Sequence, residues 1–189
     1  MTAIAASQGL LTVEEFLAAE PRYSEKHEYL GGMVYAMAGA STPHNVISTN
    51  LITALGSRLR GRRCQVFGPD MKLRLLLSGS TYFYYPDAMV VCGNAGIGAS
   101  WCDEPSVIFE ILSESTRSID EREKRIAYLS LPSLDAYVRI EQERQEVVIE
   151  YREPEGWRRE VLRGDAILLL PTVEVEIPVT ELYERLSVA

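Results

Sequence analysis

The segment Pro105-Ser-Val-Ile-Phe-Glu-Ile-Leu112 constrains this chain more than any other: it is a nearly continuous apolar run carrying one carboxylate. Runs of this kind form central strands buried on both faces. Strand alternation puts Val107, Phe109 and Ile111 on one face and Ile108, Glu110 and Leu112 on the other. Glu110 is therefore a lone carboxylate among apolar neighbours. An unpaired buried carboxylate is either strongly destabilising or forced to protonate. A metal, a cation or a ring of donors must compensate it, and a salt bridge to a nearby arginine is the plain alternative.

Tyr85-Pro-Asp87-Ala-Met-Val-Val91 repeats the theme, with an acid opening an apolar strand directly after a proline. Two carboxylates on neighbouring central strands can share one hard cation such as Mg2+. Pro-Asp alone is a common turn pair. Pro69-Asp70 also precedes a strand, but that strand carries Lys72 and Arg74, so Asp70 reads as a surface acid.

The elements around these segments run helix, strands, helix, strands, helix, strands, which predicts a central mixed β-sheet flanked by α-helices. Thr12-Val-Glu-Glu15 has capping-box spacing and predicts a helix to about Glu20, ended by Pro21. Gly31-Gly32 predicts the turn of a hairpin between His27–Leu30 and Met33–Ala38. Val46, Ile47, Leu51, Ile52, Leu55 and Leu59 follow helical spacing between Pro43 and Gly61. Strands are expected over Gln65–Phe67, Met71–Leu77 and Tyr82–Val91, with a glycine-rich loop after them at Gly93–Gly98. Ser118-Ile-Asp-Glu121 has capping-box spacing and predicts a helix to about Leu131. Ala136–Ile140, Glu146–Tyr151, Glu160–Leu162 and Ala166–Leu170 predict a closing meander, with a short helix over Val179–Leu186.

The 189 residues fit one domain over residues 11–189 behind a tail of residues 1–10, and 47% hydrophobic residues supply its core. The net charge of −8 excludes a protein that coats nucleic acid by bulk electrostatics. The charge is uneven: residues 135–189 hold 13 acidic against 7 basic residues. The stretch Arg58–Arg74 is locally basic, which suits either a solvated helix end or a nucleic-acid contact. Cys64, Cys92 and Cys102 are odd in number and form no CxxC pair, so they read as ordinary thiols of a reducing compartment. No basic n-region with an apolar core opens the chain, and no apolar run approaches a membrane span; a soluble cytoplasmic protein is expected.

The third chemical element is Lys124, in the charged segment Asp120-Glu-Arg-Glu-Lys-Arg125. By periodicity alone this is a solvated helix face, with Asp120 and Lys124 as an i,i+4 pair and Ile126 and Leu129 on the apolar side.

Asp87, Glu110 and the Lys124 helix resemble the PD-(D/E)XK nuclease superfamily. More closely, the chain resembles a large bacterial family of restriction-endonuclease-like proteins, formerly catalogued as a domain of unknown function. The likeness is carried by Leu11-Thr-Val-Glu-Glu-Phe16, His27-Glu-Tyr-Leu-Gly-Gly32, His44 with Asn50-Leu51, and Pro86-Asp87. It continues through Phe109-Glu-Ile-Leu-Ser113, Ser115-Thr116, Asp120, Lys124 and Tyr128. The chain departs from the superfamily pattern where Leu112, not lysine, stands two residues after Glu110. In this family the lysine is held to have moved to the following helix, which makes Lys124 the candidate. The resemblance implies a restriction-endonuclease-like fold and metal-assisted hydrolysis of nucleic acid, with DNA as the expected substrate. It implies Mg2+ or Mn2+ held by Asp87, Glu110 and the backbone carbonyl of Ile111, with Lys124 handling the attacking water and Glu28 supporting the metal. His44 is a secondary candidate, while Tyr128, one turn beyond Lys124, reads as packing. A homodimer is expected, since enzymes that cut both strands commonly pair their sites.

Two rival readings differ in class. A nuclease fold can bind nucleic acid or protein without cutting. A glycosidase could use Asp87 and Glu110 as its carboxylate pair, with Tyr82–Tyr85 as a sugar platform, but that reading leaves Lys124 without a role.

Overall fold

Pro86 divides what reads as one strand into two. In the computed structural model, which describes residues 10–37, 39–93, 100–113 and 120–188, Tyr82–Val91 is not continuous. Its first half ends β5 (Ser80–Tyr84) and its second half belongs to β6 (Ala88–Cys92). The two lie in different sheets. Proline lacks the N–H that a sheet interior needs, so the chain turns there and Asp87 stands at the corner between the sheets.

The larger sheet has six strands in the order β11 (Gly156–Arg163), β10 (Glu146–Glu153), β9 (Ala136–Glu141), β8 (Val107–Leu112), β6 and β3 (Cys64–Phe67). Only the β8–β9 pair is parallel in it, so the sheet is mixed as expected. The second sheet has the order β2 (Met33–Ala36), β1 (His27–Leu30), β5, β4 (Lys72–Leu77) and β7 (Trp101–Cys102).

One face of the larger sheet packs on α2 (Thr42–Leu59), which buries Ile47, Leu51, Ala54, Leu55 and Leu59 against Val90, Phe109, Ile111, Val138 and Ile140. Those positions recur at helical and strand periods respectively, so each element presents one continuous apolar face. The other face meets the five-stranded sheet and the helix α3 (Arg125–Leu129), through Leu73, Tyr84, Ile108, Ala127, Tyr128 and Tyr137. The outer side of the five-stranded sheet is covered by α1 (Val13–Ala19), whose Phe16 packs on Tyr29 and Phe83. Its capping box forms as read: the Thr12 hydroxyl accepts from the Glu15 amide, and the Glu15 carboxylate from the Thr12 amide.

Several expectations are corrected. The closing meander is broken: β11 returns to β10, while β12 (Ile167–Leu170) pairs with an unforeseen β13 (Val175–Pro178) in a separate ribbon, followed by α4 (Val179–Leu182). The helix near residue 120 begins as a wide π-type turn over Asp120–Lys124 before α3. Its buried side is Lys124, Ala127 and Tyr128, whereas Ile126 is 70% exposed. Positions i, i+3 and i+4 share a face, and that face looks inward here despite its lysine. Cys64 and Cys92 are neighbours across β3 and β6 and are joined in a disulfide; only Cys102 is a free, buried thiol. The reading of all three as ordinary thiols fails because register, not spacing, brings the pair together. Disulfides persist in oxidising surroundings, so the cysteines lend no support to a cytoplasmic location. The basic stretch is partly neutralised, with Arg58 on Glu181, Arg62 on Glu174 and Arg74 on Asp103. No helix among the described residues is long and apolar enough to cross a membrane. Residues 1–9, the loop beyond Gly93, Ser115-Thr116 and the Ser118 cap lie outside the described residues.

Candidate active site

The β6–β8 register pairs Ala88 with Phe109 and Met89 with Ile108. Continued by one residue, it sets Asp87 opposite Glu110. Glu110 thus sits on β8, and Asp87 directly before the neighbouring β6, at the corner where the chain passes between sheets. Asp87 is fixed on both oxygens. Its Oδ2 accepts from the Ile111 amide at 2.7 Å, and its Oδ1 lies 3.1 Å from His44 Nε2. In an extended strand the N–H and C=O of one residue point to the same side, so the Ile111 carbonyl also faces the Asp87 side of β8.

His44 reaches this point because of the helix start. Ser41 caps α2 by accepting from the His44 amide, with Pro43 in the first turn, and the imidazole then projects over the strand ends. Sequence reasoning gave His44 a secondary place; the structure puts it on Asp87.

Glu110 is 3% exposed in the middle of the fully buried β8. Its Oε1 accepts from the Tyr128 hydroxyl at 2.8 Å and from the Lys124 ammonium at 3.3 Å. The compensation that a buried carboxylate requires is therefore present. The Lys124 ammonium also lies 3.1 Å from Glu28 Oε1, in an ion pair not aligned as a hydrogen bond. Glu28 comes from β1, where it pairs across to Tyr35, and is 2% exposed. Glu28, Glu110 and Lys124 are brought together from three elements, and Asp87 is tied to the strand of Glu110 through the amide of Ile111.

Aromatic rings close the wall behind the lysine. Lys124 Nζ lies 5.9 Å from the centre of the Tyr84 ring, and Tyr84, Tyr128 and Tyr137 stack edge to face in series. Burial pushes the Tyr84 and Tyr128 hydroxyls upward, and the Glu110 carboxylate adds to the effect at Tyr128. Tyr128 is thereby held as a neutral donor to Glu110, a role that its reading as packing did not capture. Phe83, Tyr84 and Tyr85 are all buried, so they offer no exposed platform for a sugar ring.

The donors are all hard oxygens: the carboxylate of Glu110 on β8, that of Asp87 just before β6, and one main-chain carbonyl. That set suits a small divalent cation, which keeps several waters and takes one or two carboxylates. No group of three or more His, Cys, Asp or Glu side chains among the described residues is arranged as a metal cage. A cation here would rest on the Asp87–Glu110 pair, not on a cage of side chains.

Mixed α/β layers with a lysine and carboxylates at a strand corner define a protein of the restriction-endonuclease-like class. The chain belongs to the family described as "Putative restriction endonuclease" (Uma2), which matches residues 13–180. It is 29% identical over 179 residues to the uncharacterized protein slr1290 of Synechocystis sp. (strain ATCC 27184 / PCC 6803 / Kazusa), covering 94% of this chain and 93% of that relative. It is 32% identical over 145 residues to sll1609 of the same organism, also uncharacterized, covering 74% and 79% respectively. The fold is shared with the crystal structure of "a putative nuclease belonging to DUF820" from Anabaena variabilis ATCC 29413. The TM-score is 0.72 at 18% identity, over 91% of this chain and 97% of that one.

Proposed function

We propose that this chain is a metal-dependent nuclease that hydrolyses phosphodiester bonds, with DNA as its substrate. One observation carries the reading: a lysine from a charged helix is buried between Glu28 and Glu110, while Asp87, just before β6, accepts from the amide of Ile111, the residue next to Glu110. A lysine drawn from solvent into carboxylates forfeits hydration, and chemistry at the site explains why the arrangement exists.

Asp87, Glu110 and the Ile111 carbonyl would hold Mg2+ or Mn2+, which when bound supplies Lewis acidity and lowers the pKa of a water. Lys124 presents its ammonium beside Glu110, where it can orient the attacking water and offset the phosphate charge. Tyr128 donates to Glu110 Oε1 and so fixes the carboxylate in one orientation. His44 and the Ile111 amide hold the Asp87 carboxylate in one orientation. Glu28 pairs with Lys124 and keeps its charge in place.

A homodimer suits cleavage of two strands. The β11 edge and the exposed Val161, Ile167 and Leu169 support pairing through the C-terminal strands. Light scattering at micromolar concentration should give twice the chain mass.

The test of function is a cleavage assay with Mg2+ or Mn2+ on single- and double-stranded DNA and RNA. Asp87→Asn and Glu110→Gln should abolish activity. Absence of cleavage on every substrate would move the chain to the binding-module reading.

A further inference from the structure

On the opposite face of the five-stranded sheet, β4 opens with a second buried lysine that the site above does not use. Lys72 is 8% exposed, yet it lines a pocket of about 320 Å3 with Phe67, Gly68, Asp70, Met71 and Ser100. The β4–β5 register pairs Leu73 with Tyr84 and, continued by one residue, sets Lys72 opposite Tyr85. Its ammonium lies 5.4 Å from the centre of that ring. Among the described residues it makes no ion pair with a carboxylate.

The acids nearby are already engaged. Glu20 takes the Tyr85 hydroxyl at 2.9 Å and the His27 amide at 2.8 Å, with the His27 ring 3.2 Å away. It acts on Lys72 at a distance only. Asp70, at the pocket rim, is held by Lys26 at 2.6 Å. Burial pushes the Lys72 ammonium down from its ordinary range, as expected of a cation that has lost water without gaining a counter-ion. A lysine kept for stability would have been paired or solvated.

We propose that the Lys72 pocket binds a phosphate group, with the phosphate oxygens on the ammonium and the Ser100 side and the attached nucleoside against Phe67 and Met71. The anion follows from the buried, ion-unpaired lysine. That it is a phosphate rests on the nucleic-acid reading of the Glu110 site. Tyr85 joins the two places: it carries the Lys72 cation on its ring and stands two residues before Asp87.

The experiment titrates the full chain, in EDTA so that cleavage is absent, with four probes. These are sodium phosphate, a 5′-mononucleotide, an unphosphorylated DNA tetranucleotide with internal phosphodiesters only, and sodium acetate. The amide resonances of Phe67, Gly68 and Ser100 report the location. Expected is saturable binding of a phosphate-bearing probe with shifts at those amides. It should weaken at least about tenfold in Lys72→Met and persist in Lys72→Arg. Met replaces a buried cation with an apolar chain of similar length, so folding survives. A preference for the mononucleotide marks a terminal phosphate, and a preference for the tetranucleotide marks a backbone one. Equal binding by wild type and Lys72→Met, no binding of any phosphate-bearing probe, or acetate binding as tightly as phosphate would overturn the proposal. Each of those results leaves metal-dependent cleavage at Glu110 untouched.

Discussion

The Lys124 ammonium lies 3.3 Å from Glu110 Oε1, although Lys124 follows Glu110 by 14 residues and stands on another element. Glu110 belongs to a strand buried from end to end, and Lys124 closes a π-type turn that delivers it inward. This pairing makes a buried carboxylate tolerable and sets a cation beside the strand corner that holds Asp87.

Tyr128 also donates to the same oxygen, at 2.8 Å. Tyr128→Phe keeps the ring, with its contacts to Tyr84 and Tyr137, and removes only the hydroxyl. Leaving a buried charged acceptor one donor short should lower stability by about 1–3 kcal/mol, read as the urea midpoint. An unchanged midpoint would mean that Glu110 is satisfied without Tyr128.

Helix α3 is tied to the sheet by Glu150, which is 1% exposed and accepts from Arg125 and from the buried Arg139. Arg139 is the β9 neighbour of Glu110 in register. Glu150→Gln keeps the shape and leaves Arg139 as an uncompensated buried charge, which should destabilise by about 3 kcal/mol. Chemical denaturation checks this; a loss below about 1 kcal/mol, the range of exposed pairs, would show that the network is worth no more than a surface bridge.

Glu146 gives a pH prediction. Arg144 foremost, and Arg163 with it, hold its carboxyl below the usual range. A folded pKa below the unfolded one means that folding disfavours the protonated form. The stabilisation is therefore present above the ordinary glutamate value of about 4.3 and is lost as pH falls through the depressed one. Both arginines are more than half exposed, so the gain is modest. Wild type should exceed Glu146→Gln in stability at neutral pH, and the gap should close in acid. A gap that is constant with pH would contradict the assignment.

Much of this arrangement is visible in the sequence, but not all of it. The apolar run around Glu110 declares a buried strand with one carboxylate, and Pro86 declares a break beside Asp87, because both are local signals. The inward turn of Lys124 is not local. Helical periodicity assigns the segment to solvent, and the π-type turn and the partners Glu28 and Glu110 come from distant elements. The same is true of the Cys64–Cys92 bridge, which depends on β3–β6 register, and of the contact between His44 and Asp87, which the helix start alone does not announce. β12 is legible as the apolar run Ala166–Leu170, but its partner β13 is not, because Glu174, in a left-handed turn (φ 53°), carries no glycine to mark it.

The central claim is that Lys124 works at the Asp87–Glu110 corner, and the most direct measurement is metal-dependent cleavage by Lys124→Ala beside Glu123→Ala. Alanine keeps the helix propensity, and Glu123 is on the exposed side. Lys124→Ala should lose at least about 100-fold in rate, the scale of a positioned proton-handling group, while Mn2+ binding, measured by calorimetry, is retained. Glu123→Ala should cut as wild type does. Cleavage by Lys124→Ala at the wild-type rate would contradict the account.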